Sequence, residues 1–245
     1  MSLRLYRRWR PIRAVSFDLD DTLYDNVPVM RRAEQAVHAY LVEHFPQTAH
    51  WTIADWSARR SAIMDRDAEL ASDMSALRVA TVAEGLREVG VANAEREAEA
   101  VLAEFLRHRN AVEIHPSTFA ALDKLSRHLP LYALSNGNVS IPEIGLSRYF
   151  KKTWQPQTGR LGKPHLDMFH EAQAEQPELL PHEWLHVGDS PTADILGAQR
   201  AGWQSAWFSG GLYQHHDLQI LPTLSYDHLS ELVDWILVAY TVPDQ

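Results

Sequence analysis

The sequence has no cysteine among its 245 residues. Disulfides, thiolate zinc sites, iron–sulfur clusters and cysteine nucleophiles are thereby excluded, any metal must sit on oxygen or imidazole, and a cytoplasmic address is favoured. Long apolar runs are missing too. The longest, Trp235 to Tyr240, falls far short of the roughly 20 residues a membrane helix needs. Near the start, Arg4, Arg7, Arg8, Arg10 and Arg13 look like the basic end of a leader, yet the apolar stretch behind them, Ala14 to Phe17, is too short for a secretory signal. A soluble protein is expected. Positive charge is in deficit: 23 Lys and Arg against 32 Asp and Glu leave a net charge of −9. General electrostatics therefore argue against partners such as nucleic acid or an anionic membrane, and a polyanionic ligand would need a local basic site. Internal repeats, low-complexity stretches and linkers are also lacking.

What is present is enough apolar residue, 45%, for a core, in a chain whose length suits one domain carrying a sizeable insertion. Four short runs, Ala14–Leu19, Leu131–Asn136, Trp184–Gly188 and Ser205–Ser209, are nearly continuously apolar and end in small or polar clusters, as strands covered on both faces of a parallel sheet do. Helices are predicted between them: Ser117–His128, one starting at Pro164, Pro191–Ala201 stopped by Gly202, and Asp227 to about Tyr240. This is an α/β doubly wound pattern. The first two strands are more than 110 residues apart, and the stretch between them reads as helical throughout. The expected organisation is a core from residues 1–26 and 115–245, with a helical cap over 27–114.

The acidic cluster Phe17-Asp18-Leu19-Asp20-Asp21-Thr22 leaves the end of the first strand. Side chains two apart on a strand share a face, so Asp18 and Asp20 can both point into the crevice beyond the strand's carboxyl end. Neighbouring carboxylates repel and are costly to keep ionised without a cation, and oxygen ligands of this kind suit Mg²⁺ with a substrate phosphate. A solvated Asp-rich turn is the alternative. At the second strand's end, the Ser135 hydroxyl and the free backbone N–H groups around Asn136 and Gly137 offer what a phosphoryl oxygen needs, although Ser-Asn-Gly is also ordinary turn chemistry. Lys163 stands just ahead of the helix expected at Pro164, where charge and helix dipole both favour an anion. Asp189 ends the next strand and can reach the same cation as Asp18, while Asp194 lies in the following first turn, where helix capping is its simplest role.

These four elements, in this order on this scaffold, resemble the haloacid dehalogenase superfamily of aspartate-nucleophile phosphohydrolases. The resemblance implies a Rossmann-like core with a helical cap. It makes Asp18 the nucleophile and Asp20 the general acid/base, with Ser135 and Asn136 at the phosphoryl group and Lys163 offsetting its charge. Asp189 joins the Asp18 side chain and Asp20 carbonyl around Mg²⁺, with Asp194 as outer partner. It also implies that true dehalogenases, whose halide leaves without a proton, lack a second carboxylate at position 20. Position 135 holds Ser where many relatives have Thr, and both supply the hydroxyl.

At finer grain, Phe-Asp-Leu-Asp-Asp-Thr-Leu-Tyr-Asp-Asn, the later Ser-Asn-Gly-Asn and the Arg10-Pro11 lead-in resemble the bacterial branch that dephosphorylates flavin mononucleotide and the ribitylaminouracil phosphate of riboflavin synthesis. The implied partner is a small phosphorylated metabolite. Within the cap, Asp73, Met74 and Arg78 are placed to face the site, with Arg78 contacting a polar leaving group or else lying solvated on its helix. Trp51 and Trp56 fit a cap core better than a flavin-stacking pair. A phosphoacceptor module would need neither the insertion nor Asp20, a non-catalytic binding protein would be expected to lack Asp18 or Asp20, and a phosphomutase would use the same carboxylates.

Overall fold

The computed structural model describes residues 3–241. Seven strands form one sheet: β1 (Arg4–Leu5), β2 (Ala14–Phe17), β3 (Leu131–Leu134), β4 (Phe150–Trp154), β5 (Trp184–Gly188), β6 (Gln204–Phe208) and β7 (Leu224–Tyr226). Their spatial order is β1-β7-β6-β5-β2-β3-β4, parallel throughout except for the antiparallel β1–β7 edge. β2, β3 and β5 are buried at every position, which is why they read as unbroken apolar runs. After β2 the chain adds β3 and β4 on one side, then crosses to place β5 on the other. The strand order therefore reverses at β2, and the crevice beyond its carboxyl end is where such sheets take ligands.

Between β2 and β3 lie α1 (Val27–His44), α2 (Ile53–Arg66), α3 (Ala68–Ser72), α4 (Met74–Glu88) and α5 (Ala94–Arg109). They bury an apolar core of their own, including Val37, Leu41, Val82, Leu86, Val101 and Phe105. Trp56 is buried there and meets Trp51 edge to face at 5.0 Å, so both indoles belong to this core. The rest of the chain covers the sheet on both faces. α6 (Pro116–Ser126) and α9 (Leu229–Thr241) pack Leu122, Leu125, Leu232 and Ile236 on one face. α7 (Asp167–Ala174) and α8 (Gly197–Arg200) pack Met168, Phe169 and Ala198 on the other, beside Trp184 and Trp203.

Three strands escape the sequence pattern. β1 and β7 have only two and three residues, and β4 is an edge strand whose Lys151 and Lys152 face water, a device that protects an open edge but hides the apolar run. The helix expected at Pro164 begins instead at Asp167. The Lys163 carbonyl, which a helix starting there would use for its first bond, accepts from Asn136 Nδ2 at 2.8 Å. Lys163 thus sits in a loop rather than at a helix end. The stretch after β5 winds as a π-helical turn over Pro191–Leu196 before becoming α8.

Candidate active site

Register brings the acidic residues together. Phe17 is level with Ala133 of β3 and Val187 of β5, so the residues just beyond, Asp18, Ser135 and Asp189, leave the sheet at the same edge. Asp18 is buried, its N–H bonded to the Val187 carbonyl at 2.8 Å. Three residues on, Asp21 takes a left-handed backbone (φ 58°), which Asp tolerates better than most residues. Its carboxylate accepts the Asn26 N–H at 2.9 Å, setting the exit of the chain toward α1.

Lys163 is the hub. Its buried ammonium donates to Asp18 Oδ1 at 2.7 Å, Asp194 Oδ1 at 2.6 Å and the Leu134 carbonyl at 2.5 Å. The Asn136 amide brackets it, accepting from the Lys163 N–H at 2.8 Å while donating to its carbonyl. Thr22 Oγ1 reaches Asp18 Oδ2 and Asp189 Oδ1, each at 3.4 Å. Ser135 is buried, and its hydroxyl oxygen accepts the Gly137 N–H at 3.1 Å. Together Asp18, Asp20, Asn136, Gly137, Lys163, Asp189 and Asp194 line a crevice of about 220 Å³.

The electrostatics of the cluster are unbalanced without a further cation. Burial pushes the Asp18 carboxyl well up, Lys163 opposes this, and Asp194 and Asp20 add to it. Burial, with Asp194 and Asp21, pushes Asp189 up to about 7. Asp194 goes the other way: although burial favours its neutral form, Lys163 and His186 hold it well below the usual carboxylate range. Lys163 is disfavoured as a cation by burial, but Asp18 and Asp194 outweigh that and hold it above its ordinary value. Asp18, Asp189 and Asp194 each offer an oxygen within 4.8 Å of the others. Because Asp194 already accepts from Lys163, from His186 Nε2 at 2.9 Å and from the Ser190 N–H at 2.9 Å, Asp18 and Asp189 have the freer oxygens. Two hard, buried carboxylates short of positive charge fit a small divalent cation.

Several contributors were not legible. His186, buried in β5, donates through Nε2 to Asp194 and accepts through Nδ1 from the Ser16 hydroxyl at 2.7 Å; a titratable residue inside the apolar run Trp-Leu-His-Val was the available signal. Arg109, at the end of α5, reaches Asp20, and Tyr24 OH donates to Asp20 Oδ1 at 2.6 Å. Asp73 and Met74 do line a second crevice of about 260 Å³, with Ser75, Asn136, Gly137, Asn138, Gln155 and Pro156. Arg78 does not join them. It is buried within the helical segment, its Nη2 2.8 Å from Glu34 Oε1 and its guanidinium 3.5 Å from the Phe105 ring centre. The leaving-group contact expected of Arg78 is therefore corrected: its charge is spent inside the helical core.

A doubly wound sheet with a lysine-bridged acidic crevice at its switch point suits phosphoryl chemistry, and likeness to known proteins narrows the class. Residues 12–202 match the family model of haloacid dehalogenase-like hydrolases, and the chain belongs to that family. It is 32% identical over 239 residues, 96% of this chain and 100% of the relative, to the 5-amino-6-(5-phospho-D-ribitylamino)uracil phosphatase YigB of Escherichia coli. It is also 31% identical to a 2-haloacid dehalogenase from Pseudomonas syringae, whose crystal structure superposes with a TM-score of 0.85 over 94% of this chain and 100% of that one. A hydrolase YfnB from Bacillus subtilis, solved bound to magnesium, shares the fold at 24% identity and a TM-score of 0.64, over 93% of this chain and 100% of that one.

Proposed function

We propose that the protein is a Mg²⁺-dependent phosphatase that hydrolyses small phosphomonoesters through an aspartyl-phosphate, with residues 27–114 acting as a cap over the core crevice formed by 1–26 and 115–245. The observation that carries this reading is the pairing of a lysine-bridged Asp18 with a second carboxylate, Asp20, in one crevice. A halide departs without a proton, so Asp20 would be idle in dehalogenation. A phosphate ester's alkoxide needs one. Its presence favours the phosphatase side of the family over the dehalogenase side.

Asp18 attacks phosphorus while Asp20 protonates the leaving oxygen; the P–O ester bond breaks as the Asp18–phosphorus bond forms. Asp20, now a carboxylate, takes a proton from water, whose oxygen attacks the phosphorus and returns Asp18. Lys163 keeps its charge beside Asp18 and offsets that of the phosphate, with the Ser135 hydroxyl and the Asn136 backbone N–H at the same edge. Mg²⁺, held by Asp18, Asp189 and the Asp20 carbonyl with Asp194 behind them, would supply charge neutralisation for the phosphoryl group.

For the substrate we propose a flavin-pathway phosphate, flavin mononucleotide or 5-amino-6-(5-phospho-D-ribitylamino)uracil. The likeness to YigB supports it. The test is phosphate release from p-nitrophenyl phosphate and from a panel of phosphorylated flavins, nucleotides and sugars. Turnover should require Mg²⁺ and stop with EDTA, and Asp18→Asn and Asp20→Asn should each lose about 10²-fold or more. Wild-type turnover by either variant removes its assigned role; halide release from a 2-haloacid without phosphatase activity removes the reading itself.

A further inference from the structure

Asp20 is held by a group from the far end of the helical insertion. Arg109, the last residue of α5, is 89 residues away in sequence, almost wholly buried at 1% exposure, and its Nη2 donates to both Asp20 oxygens, at 2.6 and 2.7 Å. Tyr24 OH, four residues on in the same loop, donates to Oδ1. Burial, reinforced by Asp20, keeps the Tyr24 phenol protonated far above its ordinary range. The third side of this cradle is Gly137: a Cβ there would fall 2.2 Å from Asp20 Oδ2 and 2.9 Å from Arg109 Nη2. Carboxylate, guanidinium and backbone are in contact, with no room for any side chain at position 137.

The anchoring of Arg109 argues for aim rather than mere neutralisation. The next residue, Asn110, accepts the Ser140 N–H at 2.8 Å and donates to Glu143 at 3.0 Å, so the end of α5 is fastened to the core loop that follows Ser135. Arg109 belongs to the insertion by sequence but is fixed to the core by its neighbour. We propose that Arg109 is the positioning residue of the acid/base: with Tyr24 and the Gly137 backbone it fixes the direction of the Asp20 carboxylate toward the leaving oxygen. This rests on the phosphatase reading above.

A group that aims an acid is worth most where the leaving oxygen is basic. In the full-length protein with Mg²⁺, kcat/KM of Arg109→Ala should fall at least about tenfold further on an alkyl phosphate such as flavin mononucleotide than on p-nitrophenyl phosphate, whose phenolate leaves with little help. Arg109→Lys should recover part of that difference, and in an Asp20→Asn background Arg109→Ala should add little. Tyr24→Phe, which removes only a hydroxyl, should show a smaller split of the same sign and serves if Arg109→Ala does not fold. Equal losses on both esters in Arg109→Ala or, where that variant does not fold, in Tyr24→Phe overturn the proposal alone, as does a full additional loss in the Asp20→Asn background. A wild type that hydrolyses neither ester overturns both the proposal and the phosphatase reading.

Discussion

Gly188 closes β5 directly against Asp194: a Cβ at that position would lie 2.2 Å from Asp194 Cγ and 2.4 Å from its Oδ2. The neighbour is a short, buried side chain held by Lys163, His186 and the Ser190 N–H, so it has little room to yield. Gly188→Ala should therefore destabilise the fold by about 1–3 kcal/mol, the usual range for overpacking, and weaken Mg²⁺ binding by displacing the carboxylate that orients Lys163. Urea denaturation with and without Mg²⁺ measures both. A variant with wild-type stability and wild-type Mg²⁺ affinity would mean that Asp194 is far more mobile than its hydrogen bonds indicate. Position 188 shows what a single residue can carry: Gly-Asp at the end of an apolar run was visible in the sequence as a strand tip, but the reason for the glycine lies six residues ahead, on the next turn.

Among elements, one carboxylate ties three helices of the insertion. Glu34 of α1 accepts from Arg60 of α2 at 3.0 Å and from Arg78 of α4 at 2.8 Å. Burial alone would raise its pKa, but Arg78 and Arg60 outweigh that and hold it below the ordinary 4.5. Because the folded value lies below the unfolded one, the stabilisation is fully present above about pH 4.5 and is lost as pH falls through the folded value. Removing the carboxylate strands a buried guanidinium, so Glu34→Ala should cost about 3 kcal/mol at pH 7, and its deficit relative to wild type should shrink on acidification toward pH 4. Chemical denaturation at the two pH values checks this; a deficit that stays constant or grows in acid would contradict it. The same triad explains why Arg78 misled at the sequence level. Helical periodicity identifies the apolar stripe of α4, but Arg78 lies beside that stripe, and only the packing of α1 and α5 decides whether its charge meets a substrate or Glu34. Trp51 and Trp56, by contrast, were legible as core because indoles in an Ala- and Glu-rich helical stretch have few other places to go. The strand tips were legible because β2, β3 and β5 are buried on both faces, whereas β1, β4 and β7 are short or lie at an edge and leave no comparable run.

At the scale of the whole molecule, the sheet brings positions 18, 135 and 189 to one edge, and a loop held by Asn136 delivers Lys163 to them. Local pattern supplied each of these residues, while Arg109 could not be found by any local rule, its partner being 89 residues distant. The convergence also sets how the protein should respond to pH. Asp189 has a folded pKa of about 7 against an ordinary 3.8, raised first by burial and then by Asp194 and Asp21. An acid whose folded value lies above its unfolded value holds its proton more tightly when folded, so its contribution to stability declines as pH rises from about 4 to about 7 and stays low above that. At the proposed site Mg²⁺ would bind the deprotonated carboxylate and so stabilise only the folded chain. The increase in Tm produced by a fixed Mg²⁺ concentration should therefore grow from pH 5.5 to about pH 7, level off above that, and nearly vanish in Asp189→Asn. Differential scanning calorimetry across that range gives the curve. An increment that is flat with pH, or larger in acid, would place the cation away from Asp189, since a cation on that carboxylate must compete with its proton.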